Sequence, residues 1–225
     1  MKGKIFNAQE VQSILNGSKV MFREVIKPYP ILSDDKSYWE FKGVRWAGEN
    51  SSYAKNFGDN ARPVMPDLCP YQVGQKIFVK ERFARSFDNE GNPIAILEAD
   101  SKQEGKWKPA QHMKREHSRL TLEITDIKVE RLGEISKEDA IKEGATSRPN
   151  CSGYANRYDG WSMDWSKVGE ASKWASNRKT LSESDVCMGS AQYAFINSWI
   201  ANHKKLEEKF EVNPFVWVVD FKINK

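Results

Sequence analysis

The densest concentration of chemically capable side chains lies between Trp107 and Arg119. Trp107, His112, Met113, Lys114, Arg115, His117 and Arg119 fall within these thirteen residues, and Pro109 argues against a regular element there. Cations interleaved with rings are what single-stranded nucleic acids require, because the cations meet phosphates and the rings stack on bases. Arg23, Lys80, Lys114, Arg115 and Arg119 are the candidate phosphate contacts, with Trp107 or His112 as the stacking platform. Trp199 and Trp217 are assigned to the core. The spacing of His112 and His117 fits no standard zinc motif and no cysteine lies nearby, so no metal is expected. No dinucleotide fingerprint, phosphate-binding P-loop or nucleophile-elbow motif occurs, so no cofactor is expected either.

These side chains need rigid elements to hold them. Leu120, Leu122 and Ile124 alternate with polar residues, and Ile127 and Val129 continue the alternation one residue out of phase. The pattern predicts one long strand with a bulge or bend near Thr125–Asp126. Over Lys76–Phe83, Ile77, Val79, Glu81 and Phe83 share one face. A carboxylate on an apolar face needs a cationic partner, for which Arg23 and Arg119 are the candidates. Asn7 with Glu10 reads as a capping box opening a short helix with Val11, Ile14 and Leu15 on its apolar face, closed by Gly17. Val20–Ile26 follows as a strand, with Val20, Phe22, Glu24 and Ile26 on one face and Met21, Arg23 and Val25 on the other.

Tyr38, Trp39, Phe41 and Trp46 suggest a hairpin, Asn89–Pro93 a turn, and Ile94–Leu97 a short strand. Ser136 opens a second short helix that Gly144 ends. A longer helix is expected from about Val186 to His203, with Ala191, Phe195, Ser198 and Trp199 at core spacing and residues 203–209 as its solvated end. Phe215–Ile223, apolar on both faces at first, reads as a central strand. Residues 28–70 and 145–185, the latter carrying Trp161, Trp165 and Trp174, read as two irregular insertions. Strands outnumber helices, so a single α+β domain over residues 1–225, a small mixed barrel with short peripheral helices, is the expected architecture.

The chain of 225 residues, 39% hydrophobic and 29% charged, is long enough for a sizeable core. No apolar run is long enough to span a bilayer and the N-terminus has no signal-peptide core, so a cytoplasmic protein with no membrane partner is expected. Three widely spaced cysteines fit a reducing compartment. The net charge of +4 permits a nucleic-acid partner without demanding one.

Four blocks carry a family likeness: I-L-N-G-S-K at 14–19, C-P-Y-Q-V-G-Q-K-I-F-V-K-E-R-F at 69–83, W-K-P-A-Q-H-M-K-R at 107–115 leading into the long strand and I-S-K-E-D-A-I-K-E-G at 135–144, and N-P-F-V-W-V-V-D-F-K at 213–222. In this the chain resembles the ASCH-domain proteins of the PUA-like superfamily, nearest to the longer bacteriophage and prophage type. The resemblance implies a PUA-like mixed β-barrel in the cytoplasm of a bacterial host. In some small members a Lys, a Thr three residues later and a distant Glu are implicated in hydrolysing N4-acyl groups from cytidine. By motif the Lys is Lys19 and the Glu is Glu143, whereas the Thr position holds Phe22, which can neither donate nor accept a proton. The longer relatives' K-T-x-T-R-R pattern reads Lys19-Val-Met-Phe-Arg-Glu24 here, and their W-V-R-E-T-W strand reads Phe78-Val-Lys-Glu-Arg-Phe83. Glu24 and Arg82 are then either a compensating charge swap between neighbouring strands or drift at two exposed positions.

Three functional readings follow. The first is binding of RNA, single-stranded DNA, or a modified base or nucleotide in a basic cleft joining the first helix, the 76–83 strand and the 107–119 loop. The second is a hydrolase in the same cleft, an amidohydrolase on acylated nucleosides or a nuclease, with Lys19 and Glu143 adjacent. The third is a phage accessory protein whose insertions bind a host protein. The missing hydroxyl at position 22 ranks binding ahead of hydrolysis.

Overall fold

A computed structural model describes residues 1–47, 68–87, 90, 93–100, 106–152, 158–170 and 180–224. In chain order its elements are β1 (Lys2–Ile5), α1 (Ala8–Leu15), β2 (Met21–Val25), β3 (Ile31–Leu32), β4 (Tyr38–Phe41), β5 (Val44–Ala47), β6 (Lys76–Lys80), β7 (Phe83–Phe87), β8 (Pro93–Leu97), β9 (Thr121–Arg131), α2 (Lys137–Lys142), β10 (Thr146–Ser152), β11 (Tyr158–Ser162), α3 (Glu183–Val186), α4 (Ala191–Asn202) and β12 (Phe215–Asn224). The fold is α+β: one mixed five-stranded sheet, three small antiparallel sheets and few helices.

The main sheet runs β1-β6-β9-β12-β2, parallel between β1 and β6 and antiparallel elsewhere. Its first strand, β1, has no apolar alternation and escapes a pattern reading; it is recruited by parallel pairing with β6. β12 lies inside the sheet, and Phe215–Val219 are buried without a break because both faces are covered. One face packs Phe22, Ile26, Leu122, Ile124, Trp217 and Val219 against Val11 and Ile14 of α1. The other packs Met21, Val25, Val216 and Val218 against α2 and α4. The phase slip in β9 is a bulge at Thr125, since Asp220 pairs with Asp126 while Phe221 pairs with Ile124. The bulge returns Ile127 and Val129 to the face already used by Leu122 and Ile124.

Several expectations need correction. Among the described residues no ladder joins the edge strands β1 and β2, so the sheet is not a hydrogen-bonded barrel. Side chains bridge its edges instead: Lys4 pairs with Glu24, and Phe6 meets Phe22 edge-on at 5.9 Å. The 76–83 strand breaks after Lys80 and resumes at Phe83 as part of the β7–β8 hairpin. The 145–185 stretch contains the β10–β11 hairpin, and 28–70 contains the β3-β4-β5 sheet, so neither is wholly irregular. Trp174, Asn89, Gly91 and Asn92 lie outside the described residues. The expected 186–203 helix begins only at Ala191, capped by the Ser190 hydroxyl, because the chain between α3 and α4 is extended at Cys187. Leu15, placed on the apolar face of α1, is 40% exposed.

Candidate functional site

Two helix ends build the site. The Asn7 side chain accepts from the Glu10 backbone N–H and the Glu10 carboxylate accepts from that of Asn7, which sets the start of α1. The chain leaves α1 through Gly17 at φ +80. Lys19 then donates its backbone N–H to Ser13 at 2.9 Å, and Val20 donates to Lys142 at 2.8 Å. This corner therefore docks on the C-terminal end of α2. Glu143 caps that end, and Gly144, at φ +112, turns the chain away with its α-carbon side against Lys19 and Ser13.

The two termini bring the predicted pair together. Lys19 Nζ donates to Glu143 Oε2 at 2.8 Å and to the Glu143 carbonyl at 3.0 Å. Arg23 joins them, with Nη1 donating to Glu143 Oε1 at 3.1 Å and Nη2 to Asp139 at 2.8 Å and Glu130 at 3.0 Å. Lys128 closes the network on Asp139 and Glu130. The Lys19, Arg23 and Glu143 side chains are 3%, 1% and 4% exposed. Burial opposes the charge on Lys19, but Glu143 and Glu10 outweigh it and hold the amine above its ordinary pKa. Arg23 is likewise held charged against burial, by Glu143 and Glu130. Burial would raise Asp139, yet Lys128 and Arg23 keep it below the usual carboxylate range. The Arg23 Nε, buried, has no hydrogen-bond partner among the described residues.

This cluster lies at a cavity of about 320 Å³. Its polar floor is Lys19, Arg23 and Glu143, and Lys4, Asn7 and Glu10 line it from the N-terminal segment. Its aromatic wall is Phe6 after β1 and Phe22 of β2 with Phe195, Trp199 and His203 along and beyond α4, while Ile5, Ser198, Asn202 and Met163 complete the lining. The Trp199 indole is fixed by donating to the Glu208 carbonyl at 2.8 Å, and His203 stacks on it at 3.7 Å with 7° between the rings. Burial lowers the His203 pKa, so the imidazole is neutral at physiological pH. Phe195 and Trp199 were legible as an apolar stripe at helical spacing, but nothing in that stripe marked it as a cavity wall. Lys4 and Met163 carried no signal, and His203 read only as the solvated end of the helix, whereas it is half-buried on Trp199.

The remaining predicted residues gather elsewhere, and none of them lines this cavity. Glu81, 1% exposed, accepts from Arg119 Nε and Nη2, both at 3.1 Å, which answers the need for a cation on that strand face. Burial still lifts the Glu81 pKa despite Arg119. Lys80 Nζ donates to the Gln111 carbonyl at 2.9 Å. The 107–119 stretch is anchored by Met113, which packs with Phe83 and Leu97, and it leaves Trp107 half-buried and His112, Lys114 and Arg115 exposed. Arg23 thus belongs to Lys19 and Glu143, not to Glu81. The expected single basic cleft resolves into a charge-balanced buried cavity and a separate exposed basic loop. The Glu24–Arg82 swap is also corrected, since Glu24 pairs with Lys4 and Tyr71 while Arg82 pairs with Glu98. No protein-family model matches the chain, and no curated protein or solved structure matches it significantly. Among the described residues no helix is long and apolar enough to cross a membrane.

Proposed function

We propose that this chain binds a nucleotide or modified base, one nucleoside-sized unit at a time, in the cavity floored by Lys19, Arg23 and Glu143. The observation that carries the reading is a fully buried, geometrically fixed charge cluster opening onto an aromatic-walled space of about 320 Å³. Volumes of that order suit a single small ligand, with apolar walls and a few convergent polar groups. A nucleobase presents donors and acceptors side by side on one edge. Glu143 can accept from an exocyclic amine, and Lys19 can donate to a ring carbonyl. His203, half-buried and backed by the Trp199 indole, offers a ring for stacking. In this proposal the sheet, open between β1 and β2 and bridged there by side chains, corresponds to the barrel of a PUA-like domain of the ASCH type. RNA or single-stranded DNA would present the unit as part of a chain, with Lys114 and Arg115 on the exposed loop meeting flanking phosphates.

Hydrolysis of an acylated base remains the second reading, and it rests on the meeting of Lys19 and Glu143 in the cavity. Two features weigh against it. The amine is held protonated, which suits it to donate a hydrogen bond rather than to attack or abstract a proton. Phe22, at the position where the resemblance calls for a hydroxyl, is 3% exposed and packed against Tyr71.

Calorimetric titration with the ribonucleosides, their monophosphates and short single-stranded RNA and DNA tests the proposal. Binding of a nucleoside or nucleotide that Lys19→Met abolishes, and that Lys114→Ala leaves intact, is the expected result. Polymer binding should weaken with salt, and each Lys or Arg contact removed from the loop should flatten the salt slope by roughly 0.7–0.9. If only polymers bind and Lys19→Met has no effect, the cavity is not the site. If neither monomers nor polymers bind at low salt, a protein-binding role through residues 28–70 and 145–185 takes first place.

A further inference from the structure

Cys151, near the end of β10, and Cys187, in the extended segment between α3 and α4, are 36 residues apart in sequence and meet at one glycine. A β-carbon on Gly160 of β11 would lie 2.6 Å from the Cys151 sulfur and 2.7 Å from the Cys187 sulfur. Neither sulfur is therefore farther from the other than those two distances placed end to end. The Cys187 thiol donates to the Cys151 carbonyl at 2.6 Å, and the Cys151 thiol donates to the Arg148 carbonyl at 3.3 Å. The missing side chain at Gly160 is what leaves room for both sulfurs.

Backbone pairing holds the two segments together. Arg148 of β10 stands opposite Gly160 of β11. Trp161, the next residue, exchanges both backbone hydrogen bonds with Met188, at 2.8 and 2.7 Å. The residues beside Gly160 and Cys187 are thus tied to each other. Cys151 is 1% exposed, whereas Cys187 is half-buried, so a solute as small as a peroxide reaches Cys187 first. The third cysteine, Cys69, belongs to the core between the main sheet and α1, where burial pushes its thiol up to about 11.

We infer that Cys151 and Cys187 are a dithiol that a peroxide converts to a disulfide, stapling the β10–β11 hairpin to the segment that leads into α4. The Cys187 thiolate attacks one oxygen of hydrogen peroxide, the O–O bond breaks, and a sulfenic acid and hydroxide form. The Cys151 thiolate then attacks the Cys187 sulfur. The S–S bond forms as the S–O bond breaks, and that oxygen leaves as hydroxide. With the two thiol protons, both hydroxides become water, and two electrons have passed from the sulfurs to the peroxide. A change of rotamer at either cysteine is the movement that closes the gap to a disulfide bond of about 2 Å. This inference is independent of the nucleotide reading of the cavity.

The test treats the full reduced chain with hydrogen peroxide, once in native buffer and once in urea. In native buffer, thiols counted after denaturation should fall from three to one. Digestion without reduction should then yield a peptide joining Cys151 to Cys187, with Cys69 still a thiol. In urea the pairings should be mixed and the same link should form about tenfold or more slowly, because only the fold concentrates the two sulfurs. The closed loop should raise the melting temperature of the oxidised chain by about 5–10 °C. In Cys151→Ser, peroxide should leave Cys187 as a sulfenic acid that dimedone traps. A native product without the Cys151–Cys187 link, or a link that forms no faster than in urea, overturns the inference. An oxidised chain that melts no higher than the reduced one overturns the stapling.

Discussion

Replacing Glu143 with glutamine keeps the shape of the side chain and removes its charge from a site where both neighbours are buried cations. In the native cluster one carboxylate oxygen faces Lys19 at 2.8 Å and the other faces Arg23 at 3.1 Å. In Glu143→Gln one of these oxygens becomes an amide that turns donors toward a cation. Arg23 keeps Asp139 and Glu130. Lys19 keeps only the Glu143 carbonyl and the more distant Glu10, whose carboxylate lies 3.7 Å away and is 37% exposed. Lys19 is therefore the stranded group, and breaking a buried pair in this way costs about 3–5 kcal/mol. Lys19→Met should cost less, about 1–3 kcal/mol, because Glu143 retains Arg23. With a denaturant slope of about 2–3 kcal/mol per molar urea, Glu143→Gln should lower the unfolding midpoint by about 1–2 M. The pH dependence gives a second check. Lys19 has its folded pKa raised above 10.5, so its contribution is complete below that value and is lost as pH rises through the folded pKa. The gap between wild type and Glu143→Gln should thus persist through neutral pH and narrow only in strong alkali. Urea titrations followed by tryptophan fluorescence at several pH values measure both. A loss smaller than about 1 kcal/mol, or one abolished by molar salt, would show that the cluster behaves as a solvated surface pair and would refute the reasoning.

Phe22→Thr restores the hydroxyl called for by the family pattern, but it removes a ring packed against Phe6, Tyr71 and Phe221; a cost of about 3–5 kcal/mol is expected by chemical denaturation, with no gain of hydrolysis of an acylated nucleoside by chromatography. A β-carbon at Gly160 would lie 2.6 Å from the Cys151 sulfur and 2.7 Å from the Cys187 sulfur, so Gly160→Ala should destabilise by about 1–3 kcal/mol, read as a lower melting temperature; an unchanged melt would mean that the β10–β11 hairpin is not packed on the Cys187 segment. His203 should titrate below 6.5 by NMR, because burial against Trp199 disfavours its charged form. Its depressed folded pKa means that the unfolded chain takes up the proton first, so stability should fall as pH drops from about 6.5 through the folded value, and Trp199→Leu should return the titration toward 6.5.

Local chemistry was legible in the chain wherever a few consecutive residues decide the outcome. Asn7 and Glu10 satisfy each other's backbone across a single turn. The one-residue slip in apolar phase at Thr125 can only be absorbed by a bulge if both halves of β9 are to face one core. Glu81 among Ile77, Val79 and Phe83 demanded a cation, although only the packing of the loop decided for Arg119 over Arg23. The pairing of Lys19 with Glu143 came from motif likeness and not from spacing, since 124 residues separate them. What tertiary structure alone decided is which surfaces meet. The 107–119 loop carries the most suggestive residues, yet it is anchored through Met113 on the β7–β8 hairpin and lies outside the cavity that holds Lys19. The apolar stripe of α4 reads as core from spacing, and only its seating beside β2 makes Phe195, Trp199 and His203 a wall. Strand β1 has no pattern of its own and exists because β6 offers it a free edge. Periodicity and capping follow from short-range sterics and hydrogen bonding, whereas a cavity is bounded by distant segments whose relative placement no local pattern encodes.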